Sequence, residues 1–369
     1  MKKIIFCQTP FQIIVGLYIR KQFVKDTDVV DLVITNTFSG HEVFAKKIRE
    51  KKIFNNVIVA DAKDIVKSDS KSKNISRLFY IFNLKKMMKK VFNGSFNYYD
   101  EMYCWNYDVL TASFRSYHAL GKHPIKLFIY DEGYITYMPI DEVIPKKGFM
   151  RIIELRNKLF GISKIVREYK DGLLLFEPDF LTFKPNCPVF RIDSKIGQTN
   201  SFRDLINYIF NASEIIKKYD KKYIIFEEAM LANCDNVDDF SIYKSIIEKV
   251  GSENVIVKLH PRTKKDRFSK LGVKVLGSDG IPWEAIMLSA KFDDKVLITI
   301  GSGSITNCRM LFGGNVESYM LFKIVKPDLP QFQGNYDQLW NNISNSEGLY
   351  IPNTIEEFNK MLLKKGDIK

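Results

Sequence analysis

Cysteine and histidine are scarce in this chain. Its five cysteines, Cys7, Cys104, Cys187, Cys234 and Cys308, lie far apart and form no CxxC pair. That pattern excludes a disulfide framework and the usual zinc spacings, and it fits small buried thiols in a reducing compartment. Only four histidines occur, at positions 41, 118, 123 and 260. No apolar run is long enough to cross a bilayer. The N-terminus, MKKIIFCQTPFQIIVGLYIRKQ, opens like a signal peptide, but Gln8, Thr9, Pro10 and Gln12 break its apolar stretch. A soluble or peripheral, cytoplasmic protein is the expectation. Zinc-finger spacing, an RNP-like aromatic run and internal repeats are all absent, so nothing specific points to nucleic acid.

What the chain has in abundance is apolar material and positive charge. Hydrophobic residues make up 46% and aromatic residues 13%, which is ample for packed cores and argues against disorder. The 56 basic residues outnumber the 43 acidic ones, giving a net charge of +13. Such a balance attracts phosphates, nucleotide sugars or anionic lipid without choosing among them. With 369 residues, two domains are expected.

Short continuous apolar runs alternate with helical spacing. KKIIFC predicts a strand covered on both faces, followed by a helix in TPFQIIVGLYIRKQF with Pro10 in its first turn. Strands DVVDLVITN, NNVIVAD, YDEMYCWN and PIKLFIYDEG follow, with the helix HEVFAKKIREKK between the first two. The pattern weakens from about residue 149 to 200, and the boundary is placed near 185 to 200. A second alternation begins with one long helix, SFRDLINYIFNASEIIKKY, then KKYIIFEE, DFSIYKSIIEKVG, ENVIVKLHP, VKVLG, PWEAIMLSA and KVLITIGSGS. The expected fold class is α/β, with two Rossmann-like domains, 1–190 and 191–369, facing a central cleft.

Polar clusters fall directly after four of these strands. QTPFQ follows the first, Asp131-Glu132-Gly133 follows KLFIY, His260-Pro261-Arg262 follows NVIVKL, and GSGSIT follows KVLITI. Open α/β sheets hold their ligands at such carboxyl ends. Taken singly, each has an ordinary alternative: DEG reads as a solvated turn, and His260 as a structural histidine. GSGSIT offers backbone N–H groups and hydroxyls to a phosphate but is no Walker A loop. Asp238-Asp239 reads as a helix N-terminus and Asp293-Asp294 as a solvated turn, so no metal site is expected.

The order HPR, IPWEAIM, GSGSIT resembles the second domain of bacterial GT-B sialyltransferases. IIFCQTPFQIIVGL is similar to the opening of glycosyltransferase family 52, the lipooligosaccharide and capsule sialyltransferases. The resemblance implies an acceptor-side first domain and a nucleotide-sugar-binding second domain. It implies Asp131 as general base, with Glu132 and Gly133 shaping the site, and His260, supported by Pro261, on the departing cytidine monophosphate phosphate. It also implies Glu284 on the ribose hydroxyls and Ser302 and Ser304 on the phosphate. Gly303 separates two serines that are adjacent in the family, so Thr306 is a further candidate. Gln8 and Thr9 join the donor-binding set.

The implied reaction is inverting transfer of sialic acid from CMP-sialic acid to a terminal galactose, or related sugar, of a bacterial surface glycan. The alternative is a relative using another nucleotide sugar such as a UDP-hexose. The chemistry suits the residues: a base for the acceptor hydroxyl and hydrogen-bond donors around an anionic leaving group, with no cofactor. A homodimer is compatible with these features. Lys85, Lys86, Lys89 and Lys90 beside Met and Phe in NLKKMMKKVF read either as a peripheral membrane contact or as a solvated helix face.

Overall fold

The computed structural model describes residues 1–66, 71–94, 97–106, 108–139, 148–160, 171–228, 238–260, 263, 265–277, 280–289, 292, 294–312, 316–326, 337–344 and 348–364. The expectations that fall on Cys234, Pro261 and Asp293 lie outside them. The chain divides into two compact units, residues 1–196 with 208–210, and residues 197–207 with 211–369.

The first unit carries an all-parallel sheet of β1 (Lys2–Cys7), β2 (Val29–Thr35), β3 (Asn56–Ala60), β4 (Glu101–Cys104), β5 (Lys126–Tyr130), β6 (Gly172–Leu175) and β7 (Val189–Arg191). Their order is β3-β2-β1-β4-β5-β6-β7. From Ile4 to Cys7 every residue of β1 is buried, as expected of a central strand with helices on both faces. The helix Pro10–Gln22 starts where expected because Thr9 caps it and Pro10 fills its first turn.

The second unit has β8 (Tyr223–Phe226), β9 (Val255–Lys258), β10 (Lys274–Leu276), β11 (Val296–Thr299), β12 (Glu317–Met320) and β13 (Leu349–Tyr350), in the order β10-β9-β8-β11-β12-β13. These strands are parallel too. The strand order reverses between β1 and β4 in one sheet and between β8 and β11 in the other. Those reversals are where parallel sheets open a crevice at their carboxyl ends.

One feature departs from the sequence reading. The single helix expected from 201 to 219 is broken into Asn200–Phe210 and Ala212–Ile216, with Asn211 at φ +56. Asparagine tolerates the left-handed region, and its N–H bonds back to the Asn207 carbonyl to end the first helix. Asp238 and Asp239 do mark a helix N-terminus, Asp238 capping Asp239–Val250 by accepting the Ser241 N–H at 3.0 Å. Asp239 is buried against Arg267, whose guanidinium also grips the buried Glu227. The Nη2 distances are 2.7 Å to Asp239 and 3.0 Å to Glu227.

Arg267→Met would strand two buried carboxylates without their cation. Loss of one member of a buried ion pair costs about 3–5 kcal/mol. Urea unfolding of this variant should show a drop of that order; a change of a few tenths would mean that the triad is not under tension from burial.

Candidate active site

In the first unit the polar groups collect at the carboxyl ends of β1, β4, β5 and β6. Asp131, directly after β5, is fully buried. Its Oδ1 accepts the Gly133 N–H at 2.8 Å, and its Oδ2 accepts the Phe176 N–H at 3.1 Å and the Tyr137 hydroxyl. Tyr137 sits in the one-turn helix Tyr134–Tyr137, and its hydroxyl oxygen in turn accepts the Glu177 N–H at 3.2 Å. Gly133 adopts φ +95 and ψ −163, a conformation open essentially to glycine alone. The glycine of the DEG segment is thus required to aim an N–H back at Asp131.

Burial raises the pKa of Asp131 to about 6. The hydrogen bonds from Tyr137, Gly133 and Phe176 pull it down, and the neighbouring charge of Glu177 adds to the rise. Glu132 faces the other way and is half-buried. Its backbone N–H donates to the Thr136 hydroxyl at 2.9 Å, and Thr9 Oγ1 stands 3.5 Å from its carboxylate.

Gln8 and Thr9 close this strand-end cluster. Thr9 Oγ1 accepts the Gln12 N–H at 3.2 Å, and the Gln8 backbone N–H donates to Gln12 Oε1 at 2.6 Å. The Gln8 amide donates to Asp108 across the β1/β4 reversal. Asp108, which the sequence reading did not single out, also caps the helix Val109–Leu120 in a capping box with Thr111.

The second unit gathers a different set. His260 is half-buried just beyond β9, and its carbonyl accepts the Thr263 N–H at 2.9 Å. Ser302 precedes the helix Gly303–Phe312; its Oγ lies 3.4 Å from the Ser304 N–H. Both serines are half-buried, whereas Thr306 is fully buried and donates to the Gly303 carbonyl at 2.9 Å. Glu284, in the first turn of Trp283–Ser289, is buried, and burial raises its pKa. Asn307 Nδ2 donates to it at 2.7 Å, and the buried Asn307 Oδ1 has no partner among the described residues.

Two residues at the β8/β11 reversal went unmarked in the sequence. Thr299 Oγ1 accepts the Ser302 N–H at 3.0 Å and reaches Glu228 Oε1 at 3.4 Å. It therefore ties the serine loop to the acid that ends β8. Burial lifts Glu228 to about 7, offset by Thr299 and reinforced by the charges of Glu227 and Asp239. FEEAM reads as an ordinary strand end, and only the topology reveals that Glu228 and Ser302 are neighbours.

Site residues therefore fall in two groups: Gln8, Thr9, Asp131, Glu132 and Gly133 in the first unit, and His260, Glu284, Ser302 and Ser304 in the second. Among the described residues no three His, Cys, Asp or Glu side chains converge as a metal site.

Comparison with known proteins gives this geometry its class. The chain is similar in fold to Arabidopsis thaliana UGT89C1 complexed with UDP, at 10% identity and TM-score 0.52, covering 100% of this chain and 91% of that one. It is similar to the alpha/beta-galactoside alpha-2,3-sialyltransferase of Photobacterium phosphoreum, at 10% identity and TM-score 0.50, covering 95% and 98%. A sialyltransferase from Photobacterium damsela matches with the same identity and TM-score, covering 95% of this chain and 81% of that one. A search of curated sequences finds no match. The fold class is thus that of the GT-B glycosyltransferases. The alpha-2,8-polysialyltransferase (POLYST) family model matches residues 3–319. The chain belongs to that family, and it is a glycosyltransferase of the sialyltransferase kind.

The raised pKa of Asp131 has a consequence for stability. A carboxyl whose pKa is higher folded than unfolded favours folding while protonated. That contribution is complete below about pH 4 and is lost as pH rises through about 6, a difference of about 3 kcal/mol. Asp131→Asn cannot ionise, so the stability of wild type relative to this variant should fall by that order between about pH 4 and pH 7. A pH-independent difference in urea unfolding would show that burial does not disfavour the charged form.

Proposed function

We propose that the chain is an inverting sialyltransferase that takes sialic acid from CMP-sialic acid and adds it to the terminus of a bacterial surface glycan. The observation that carries this reading is the family match over residues 3–319, with a buried carboxylate at the end of β5 and a serine-bearing helix start after β11. The family's description favours a sialic acid terminus and an α-2,8 linkage; the galactose terminus expected from the sequence is the competing acceptor. A membership in glycosyltransferase family 52 would rest on the opening segment IIFCQTPFQIIVGL alone.

In this proposal Asp131 is the general base. A base with a pKa near 6 accepts a proton more readily than an ordinary carboxylate and is still ionised at neutral pH. Two carboxylate oxygens offer about four lone-pair directions. Gly133, Tyr137 and Phe176 use three, leaving one on Oδ1; because Asp131 has no exposed surface here, an acceptor hydroxyl reaches it in this proposal only when the strand-end loop moves aside. As the acceptor oxygen attacks the anomeric carbon, its proton passes to Asp131 and the bond to the CMP phosphate breaks. His260 and the hydroxyls of Ser302 and Ser304 stabilise the leaving phosphate. Glu284, held by Asn307 Nδ2, accepts hydrogen bonds from the ribose hydroxyls in this scheme.

The direct test is incubation with CMP-sialic acid and acceptors ending in sialic acid or in galactose, followed by linkage analysis. Elongation of the sialylated acceptor is the expected outcome; transfer to galactose alone would reassign the acceptor, and no sialylated product would overturn the proposal. Asp131→Asn should retain CMP binding and lose transfer by at least about a hundredfold. Glu132→Gln should lose less than about tenfold, and the reverse ranking would move the base to Glu132.

His260→Ala should lower turnover, with smaller losses for Ser302→Ala and Ser304→Ala. Wild-type behaviour in all three would place the phosphate elsewhere. Because protein donors surround the phosphate in this scheme, turnover should persist in EDTA. Loss restored by magnesium or manganese would show that a divalent ion does that work.

A further inference from the structure

Four helices of the first unit, Lys71–Phe82, Leu84–Val91, Val109–Leu120 and Phe149–Leu159, pack together. On Leu84–Val91 the apolar face is spent internally: Leu84, Met87, Met88 and Val91 are buried, as is Phe92 beyond its end. The methionines and Phe92 are therefore core residues, not the partners of the lysines at any outer surface. Lys85, Lys86 and Lys89 are exposed.

The apolar surface beside those lysines comes from the neighbouring helices. Phe79, Phe82, Leu120, Leu155, Leu159 and Phe160 are all exposed, Leu159 to 67% and Leu155 to 55%. Leu155 and Leu159 stand one above the other at helical spacing four. Phe82, Leu120 and Phe160 line one surface hollow together with Leu84, Lys85 and Tyr98. The Lys86 ammonium lies 5.1 Å from the centre of the Phe79 ring, which ties the charged and apolar parts into a single patch. Soluble surfaces rarely gather this many large side chains without a partner.

Charge decides which partner. Between residues 71 and 99 the sequence has seven basic residues and no acidic one. On the helix Phe149–Leu159 the single acid is Glu154, which is half-buried, against Arg151 and Lys158, both exposed. An apolar patch rimmed by one sign of charge suits the boundary layer of an anionic lipid leaflet, where rings and leucines enter the acyl edge and ammonium groups meet the headgroups. A second copy of the same patch would bring like charges together.

We infer that this four-helix face docks on an anionic membrane surface, with Leu155, Leu159, Phe160 and Phe82 inserting and Lys85, Lys86 and Lys89 pairing with lipid phosphates. The inference does not depend on the sialyl-transfer reading. It places the first unit at a lipid surface, whatever sugar is transferred.

The test is co-sedimentation of the full chain with phosphatidylcholine vesicles, with and without phosphatidylglycerol, at low and high salt. Wild type should bind the phosphatidylglycerol vesicles and bind neutral ones far more weakly. Leu159→Ser/Phe160→Ser should lower the partition coefficient by at least about tenfold, since two inserted side chains are lost. Lys85→Gln/Lys86→Gln/Lys89→Gln should lower it at low salt, where the charge attraction is least screened. Each variant should keep the wild-type urea midpoint, because the substituted side chains are exposed. Equal binding to neutral and anionic vesicles, unchanged binding by the variants, or no binding by wild type would overturn the inference. So would a wild-type dimer, seen by light scattering, that Leu159→Ser/Phe160→Ser converts to monomer without any vesicle binding.

Discussion

A carboxylate with no exposed surface has to be held by hydrogen bonds, and Asp131 is the group around which the first unit's strand ends are arranged. Unpaired, a buried carboxylate would give up its charge or destabilise the fold. Three segments supply its donors: Gly133 from its own loop, Tyr137 from the turn that follows, and Phe176 from the end of β6. The left-handed backbone of Gly133 and the position of Tyr137 follow from the need to reach that carboxylate. The same constraint raises its pKa, so one arrangement both organises the loop and sets the strength of the base it would provide.

The second unit solves a similar problem with a hydroxyl. Thr299 closes β11 and binds both the Ser302 N–H and the acid that ends β8. Arg267 fixes the adjacent Glu227 from the opposite side, drawing Asp239 into the same network. Rigid strand ends and a buried triad therefore support the short serine segment, which has few side chains of its own to hold it. A loop that must keep hydroxyls and N–H groups available gains its order from its neighbours.

The central strands were legible because burial on both faces writes a continuous apolar run, as in Ile4 to Cys7 and Ile224 to Phe226. β6, β7, β12 and β13 were not foreseen: β6 and β7 fall in the stretch where the alternation weakens, β7 follows a proline, β12 carries Glu317 and Ser318 in place of a continuous apolar run, and β13 has only two residues. The break at Asn211 was hidden because the apolar spacing runs on through it. Asp131, Glu132 and Gly133 could be marked as a strand-end motif, but not which acid turns inward, since that depends on Tyr137 and Phe176. Glu228 and Asn307 are invisible as site residues in sequence, because what distinguishes them is a neighbour more than twenty positions away. NLKKMMKKVF misled in a similar way: its lysines face solvent, while the apolar surface beside them belongs to other helices.

A buried carboxyl acting as base, its pKa raised by burial and tempered by Tyr137, is the central claim, and the pH dependence of kcat/KM for sialyl transfer tests it most directly. Wild type should lose activity below about pH 6 with the slope of a single proton, as Asp131 becomes protonated. Tyr137→Phe removes a hydrogen bond that favours the charged form, so its acid limb should move to higher pH. An acid limb that stays in place in Tyr137→Phe would show that the titrating group is not Asp131, and would contradict the account.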